Sequence, residues 1–85
     1  MNEKKREQNE KVFSHFESLE NGGRKYWFEI MGKYGWKAKY VKITDKEEAT
    51  VSFVQEIYND KNELVEIHEK YPIDKGHVKI IKDDN

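Results

Sequence analysis

From Arg24 onward the apolar residues of this chain recur at every second position, and the recurrence breaks only at short polar turns. A period of two sends alternate side chains to opposite faces of a strand, so the pattern restricts this part of the chain to a sheet of short strands. In the first segment Tyr26, Phe28 and Ile30 share one face, and Trp27, Glu29 and Met31 share the other. Gly32-Lys33-Tyr34-Gly35 follows as a turn with two positions suited to positive φ. A second strand is predicted over 36–44, where Trp36, Ala38 and Tyr40 alternate with Lys37 and Lys39. Val41 and Ile43 then continue in the opposite phase, which calls for a bulge or for partial cover on both faces.

Residues 45–49 form the next polar connection, and a third strand is predicted over 50–58. Asn59-Asp60-Lys61-Asn62 is a strong turn signal, since Asn and Asp bond to their own backbone and tolerate left-handed angles. A fourth strand covers 63–71 and ends at Pro72, which has no N–H to donate. Asp74-Lys75-Gly76 turns the chain into a short fifth strand over 77–81. Connections this short join antiparallel neighbours, so the strands form a meander.

Ahead of the sheet, residues 1–11 are a flexible charged lead. A helix is predicted over 7–19, with Val12, Phe13, Phe16 and Leu19 at roughly helical spacing and Asn21-Gly22-Gly23 as its stop. A helix so short is marginal alone and should dock Phe13 and Phe16 onto the sheet. The expected fold class is α+β: a short N-terminal helix packed on a four- to five-stranded antiparallel β-meander, with residues 12–82 as one domain.

A chain of 85 residues buries roughly 60–65% of the surface it exposes when unfolded, so its core is thin. Five aromatic residues, Trp27, Tyr34, Trp36, Tyr40 and Tyr58, are more than such a core readily absorbs. Internal packing in a curved sheet, an oligomer interface or a ligand groove would each employ them, and they are the candidate interaction surface. The absence of cysteine excludes disulfides and thiolate-ligated metal sites. No apolar leader and no run of transmembrane length is present in the sequence, so a cytoplasmic protein with no membrane association is expected. The net charge of -1 hides a split: residues 1–46 carry a balance of +4 and residues 47–85 a balance of -5.

Chemistry-bearing residues concentrate between Glu66 and His77. On a strand Glu66, His68 and Lys70 share a face, and a tight turn at Asp74–Gly76 would fold His77 back toward His68. Two histidines titrating near neutral pH could serve as base and acid on a phosphodiester. Lys70 or Arg24 would then stabilise the charge that builds on the phosphoryl group. The candidate catalytic set is His68, His77, Glu66, Lys70 and Arg24, as a small ribonuclease-like toxin would need. Histidines on an edge strand also commonly do no more than bond a carboxylate or meet water. A zinc-type set of His68, His77 and one of Glu66, Glu69 or Asp74 matches no compact motif, so no metal and no cofactor is expected. Tyr34, Trp36 and Tyr40 interleave with Lys33, Lys37, Lys39 and Lys42 in a pattern that suits RNA stacking and phosphate contacts, and suits an ordinary amphipathic strand equally.

The segments Gly23-Arg24-Lys25-Tyr26-Trp27, Gly32-Lys33-Tyr34-Gly35-Trp36, Gln55-Glu56-Ile57-Tyr58, Leu64-Val65-Glu66-Ile67-His68-Glu69-Lys70-Tyr71-Pro72 and Asp74-Lys75-Gly76-His77 resemble a small prokaryotic protein family with no established activity. The resemblance spans residues 23–77 and implies no residue roles. A similarity to histidine-rich toxins of toxin–antitoxin pairs stops short of their dense His/Asp cluster. The expected function is a small non-enzymatic interaction module that self-associates or binds another protein. The alternatives are a ribonuclease-like enzyme using the His/Glu/Lys cluster and an RNA-binding sheet surface.

Overall fold

The computed structural model describes residues 2–80 and places one helix ahead of a single antiparallel sheet. The elements are α1 (Glu3–Val12), β1 (His15–Ser18), β2 (Arg24–Met31), β3 (Lys37–Thr44), β4 (Thr50–Tyr58), β5 (Leu64–Tyr71) and β6 (Gly76–Lys79), with a 3-10 turn (Lys33–Gly35) between β2 and β3. The six strands lie in sequence order, each paired with the next. The fold is therefore the α+β meander that the alternation implies, with one strand more than its upper expectation. Ile81 and Lys82, at the ends of the predicted fifth strand and of the predicted domain, lie outside the described residues.

The helix lies earlier than its apolar spacing suggests. Asn2 caps it by accepting the Lys5 N–H at 3.1 Å, Glu3 occupies the first turn and Lys11 the last, the charge order that suits a helix dipole. Residues 13–19 are not helical. Phe16, expected on a helix, sits on β1 opposite Tyr26. Asn21-Gly22-Gly23, expected as a helix stop, is instead the β1–β2 hairpin turn, closed by Leu19 N–H to Gly23 O at 2.9 Å and with Gly22 at φ 87°. Glycine supplies positive φ equally to a helix end and to a hairpin, which is why the signal misleads.

The phase change at Val41 is not a bulge. The β2–β3 pairing runs unbroken from Arg24–Thr44 to Met31–Lys37, and the irregularities fall elsewhere: one between β3 and β4 at Ile43/Thr44, and two between β4 and β5. Both faces of the sheet are partly covered near Val41, which is itself only 8% exposed. The helix-bearing face carries Tyr26, Phe28, Tyr40, Phe53 and His68; the opposite face carries Trp27, Val41, Val54 and Ile67.

Phe13, just past α1, plugs the helix-bearing face. Its ring centroid lies 5.8 Å from Tyr26, 5.4 Å from Phe28 and 6.3 Å from Phe53. The helix itself is held by polar contacts. Glu48, buried in the β3–β4 turn, accepts from Arg6 Nε at 2.9 Å, Asn9 Nδ2 at 3.2 Å and Tyr26 OH at 2.6 Å. Burial alone would raise the Glu48 carboxyl; the bonds from Tyr26, Arg6 and Asn9 outweigh it and hold the group below the ordinary carboxylate range. No helix among the described residues is long and apolar enough to cross a membrane.

Candidate active site

The β5–β6 hairpin makes His68 and His77 register partners, with ring centroids 4.4 Å apart. The turn chemistry enforces this. Gly76 takes φ 67° at the start of β6, and its N–H donates to Asp74 Oδ1 at 2.9 Å, while Lys75 N–H closes the loop onto Glu69 O. The same Asp74 oxygen sits 2.6 Å from His68 Nε2. Asp74 thus anchors the turn and orients the histidine with one carboxylate. The Gly76 N–H first, and then His68, hold its carboxyl below the ordinary range.

His77 has a carboxylate of its own, with Glu66 Oε1 at 3.5 Å from Nδ1. Two imidazole–carboxylate pairs therefore stand side by side. Glu66 pairs across the hairpin with Lys79. His68 is the more enclosed ring and His77 the more open one, with side chains 15% and 47% exposed. With Nε2 of His68 on Asp74, Nδ1 is left as its second nitrogen; it is buried and has no hydrogen-bond partner. Among the described residues, no three His, Asp or Glu side chains converge so as to hold a metal ion.

Next to this pair, the β4 strand places Gln55 opposite His68. Gln55 Nε2 donates to the Tyr40 hydroxyl at 3.0 Å, and Tyr40 stacks on Phe28 at 4.9 Å between centroids. Lys70 lies over this aromatic floor, with Nζ 5.4 Å from the Tyr40 ring and 6.0 Å from Phe53. The sheet thus joins His68, His77 and Glu66 in one cluster with Lys70 at its border. Arg24 is not part of it. It opens β2 beside the helix, where its guanidinium bonds Glu10 at 2.7 Å and covers the Phe16 ring at 4.7 Å.

The five aromatic residues of the candidate interaction surface do not form one patch. Trp27 and Tyr58 point to the opposite face, and Tyr40 to the helix-bearing face. Tyr34 projects from the 3-10 turn, 89% exposed, and Trp36 borders a cavity with Val65, Glu66, Lys79 and Ile80. Asp74 is the site residue with the greatest consequence beyond the candidate set. An Asp two residues before a Gly, between two histidine-bearing strands, is the signal that reveals it. Comparison with protein-family models, with curated proteins and with solved structures finds no match.

Proposed function

We propose that this protein cleaves RNA by general acid–base transesterification at the His68–His77 pair. The observation that carries the reading is the pairing of two imidazoles across one hairpin, each beside its own carboxylate. RNA brings its own nucleophile, so the protein has to supply only proton transfer and charge stabilisation. His77, the open ring, takes the proton of the 2′-hydroxyl as its oxygen attacks the adjacent phosphorus. His68, held by Asp74, gives a proton to the departing 5′-oxygen, for which the substrate must reach its covered Nδ1 edge. The products are a 2′,3′-cyclic phosphate and a 5′-hydroxyl. Lys70 and Lys79 border the pair and oppose the charge on the phosphorane.

End-group analysis of RNA incubated with the protein tests the reading. Cyclic-phosphate ends are expected, with a bell-shaped dependence of kcat/KM on pH, and His68→Ala and His77→Ala each lowering it roughly 10²–10⁴-fold. Full activity in either variant, or intact RNA with the wild-type protein, overturns it.

A second reading, self-association, is favoured by a separate observation. Among the described residues no helix packs on the sheet face that carries Trp27, Val54 and Ile67, which are half-buried there around the buried Val41. The mass in light scattering is its readout.

A further inference from the structure

Two cavities flank the histidine pair along β5. One, of about 520 Å³, opens between α1 and the sheet and is lined by Lys5, Phe13, Lys42, Phe53 and Tyr71 among others. The other, of about 450 Å³, is lined by Trp36, Val65, Glu66, Lys79 and Ile80. On β5, Tyr71 bounds the first and Val65 and Glu66 the second, and His68 lies between. Five residues of strand span roughly 17 Å. A ligand that reaches both cavities must therefore be extended and must pass directly over His68.

Each cavity combines flat ring surface with ammonium groups. The larger offers Phe13, Phe53 and Tyr71 beside Lys5 and Lys42; the smaller offers Trp36 beside Lys79. Lys70 stands between the larger cavity and the histidines, over Tyr40 and Phe53. Two carboxylates lie near the lysines: Glu48, buried and satisfied by Arg6, Asn9 and Tyr26, and Glu66, which lines the smaller cavity opposite Lys79 and sits 3.5 Å from His77. Lys42 Nζ donates to Asn9 Oδ1 at 2.9 Å, which fixes it at the cavity wall. Rings with cations at intervals along an extended track match a polymer of flat bases on an anionic backbone. A duplex would not serve, because its bases are stacked on each other and unavailable to protein rings.

We infer that the substrate is single-stranded RNA laid along β5, with one base against Phe53 and Tyr71, another against Trp36, and the scissile phosphodiester between them at His68 and His77. This assignment rests on the RNA-cleavage reading for the reaction, but binding can be measured without it. A short, labelled, fully 2′-O-methylated oligonucleotide cannot be cut by attack of the 2′-oxygen, so its fluorescence anisotropy reports binding alone.

Tyr71→Ala, Lys5→Ala and Trp36→Ala alter exposed side chains and leave the core intact. Tyr71→Ala and Trp36→Ala are each expected to weaken binding about tenfold, as loss of one stacked base does. Lys5→Ala should weaken it less and flatten its salt dependence. Tyr34→Ala, at the far turn, should bind as the wild type does. A matching duplex should bind at least tenfold more weakly than the single strand. Wild-type affinity in both Tyr71→Ala and Trp36→Ala, equal affinity for duplex, or no binding by the wild-type protein overturns the assignment. The two readings fail separately. Cleavage that ignores Tyr71 and Trp36 leaves the histidine reading standing without the subsites. Single-strand binding that needs both residues, with no cleavage of the unmodified RNA, keeps the subsites and removes the reaction.

Discussion

Gly23 is a single residue on which the closure of the sheet at its helix end depends. A Cβ at that position would run into the carbonyl oxygen of Thr44, on the strand beside it. Backbone cannot retreat there without breaking the β2–β3 pairing that begins at Arg24–Thr44. Gly23→Ala is therefore expected to destabilise the fold by about 2 kcal/mol or more, measured by urea denaturation; a change within ~0.5 kcal/mol would show that the turn yields freely. Tyr58 gives a second prediction on this scale. Burial first, and then its hydrogen bond to Glu56 at 2.8 Å, push the phenol up to about 12. A phenol raised in the folded state contributes stability that is whole below its unfolded value near 10 and is lost as pH rises through 12. Ultraviolet titration should show a phenolate step near pH 12 that is lost in Tyr58→Phe, with Tyr26, raised as well, remaining. If the step that disappears lies near 10 instead, Tyr58 is neither buried nor bonded to Glu56 in solution.

The helix depends on a bond set that no periodicity announces. Residues 3–12 have no apolar stripe; the one apolar residue of α1, Val12, is 63% exposed. Glu48 holds α1 alongside the Arg24–Glu10 and Lys42–Asn9 bonds, and its replacement by Gln turns one of the two oxygens that accept from Arg6, Asn9 and Tyr26 into a donor facing donors. Glu48→Gln is expected to cost about 2–3 kcal/mol and to reduce helical circular dichroism. Because the Glu48 carboxyl is depressed in the fold, its contribution is whole above the ordinary carboxylate range and is lost as pH falls through its folded value. The acid limb of stability should accordingly flatten in Glu48→Gln; an unchanged limb with unchanged helicity would show that α1 is held by other contacts. The contrast with the strands explains what the sequence could disclose. β2 to β5 announce themselves through a period of two, and the Asp74–Gly76 turn carries enough local chemistry to set His77 opposite His68. The bulges at Phe53/Val54 and Ile57/Tyr58 leave no such mark. The first turns Tyr71 toward Phe53, away from the Ile67 side where simple alternation assigns it, and so shapes the larger cavity. Arg24 is chemically suited to a phosphoryl site and is placed elsewhere by register alone. Residue type suggests a role, but only pairing decides who meets whom.

As a whole the molecule is long and thin, 47 × 23 × 22 Å, with a radius of gyration of 14.4 Å where a compact chain of this length has about 12 Å. A single sheet with one small helix at one end of one face produces that shape. Among the described residues only Phe13, Tyr26 and Val41 are large, apolar and buried. The face opposite the helix carries the half-buried Trp27, Val54 and Ile67 around the buried Val41. Around them Lys25, Lys37 and Lys39 lie on β2 and β3, where Glu29 bonds Lys37 at 2.9 Å and Glu17 pairs with Lys25, while Glu56 and Glu69 lie on β4 and β5. Lys25 and Lys39 each hold their ammonium 5.5 Å from the Trp27 ring, so the basic side has a defined position. A twofold axis between Val41 and Val54 would lay the lysines of one copy over the glutamates of the other and cover the apolar centre of both. This is the isologous arrangement that closes a dimer. We therefore expect the mass in light scattering to double with rising concentration, and more readily at low salt, since screening weakens such charge pairs. Val54→Lys should abolish the dimer. Lys39→Glu should weaken it about tenfold, and adding Glu56→Lys, at its register partner on β4, should restore it, because the exchange leaves opposite signs facing both within each sheet and across the axis. A strict monomer at every concentration would show that this face stays open to water, and a double variant no better than Lys39→Glu would place the axis elsewhere on the sheet.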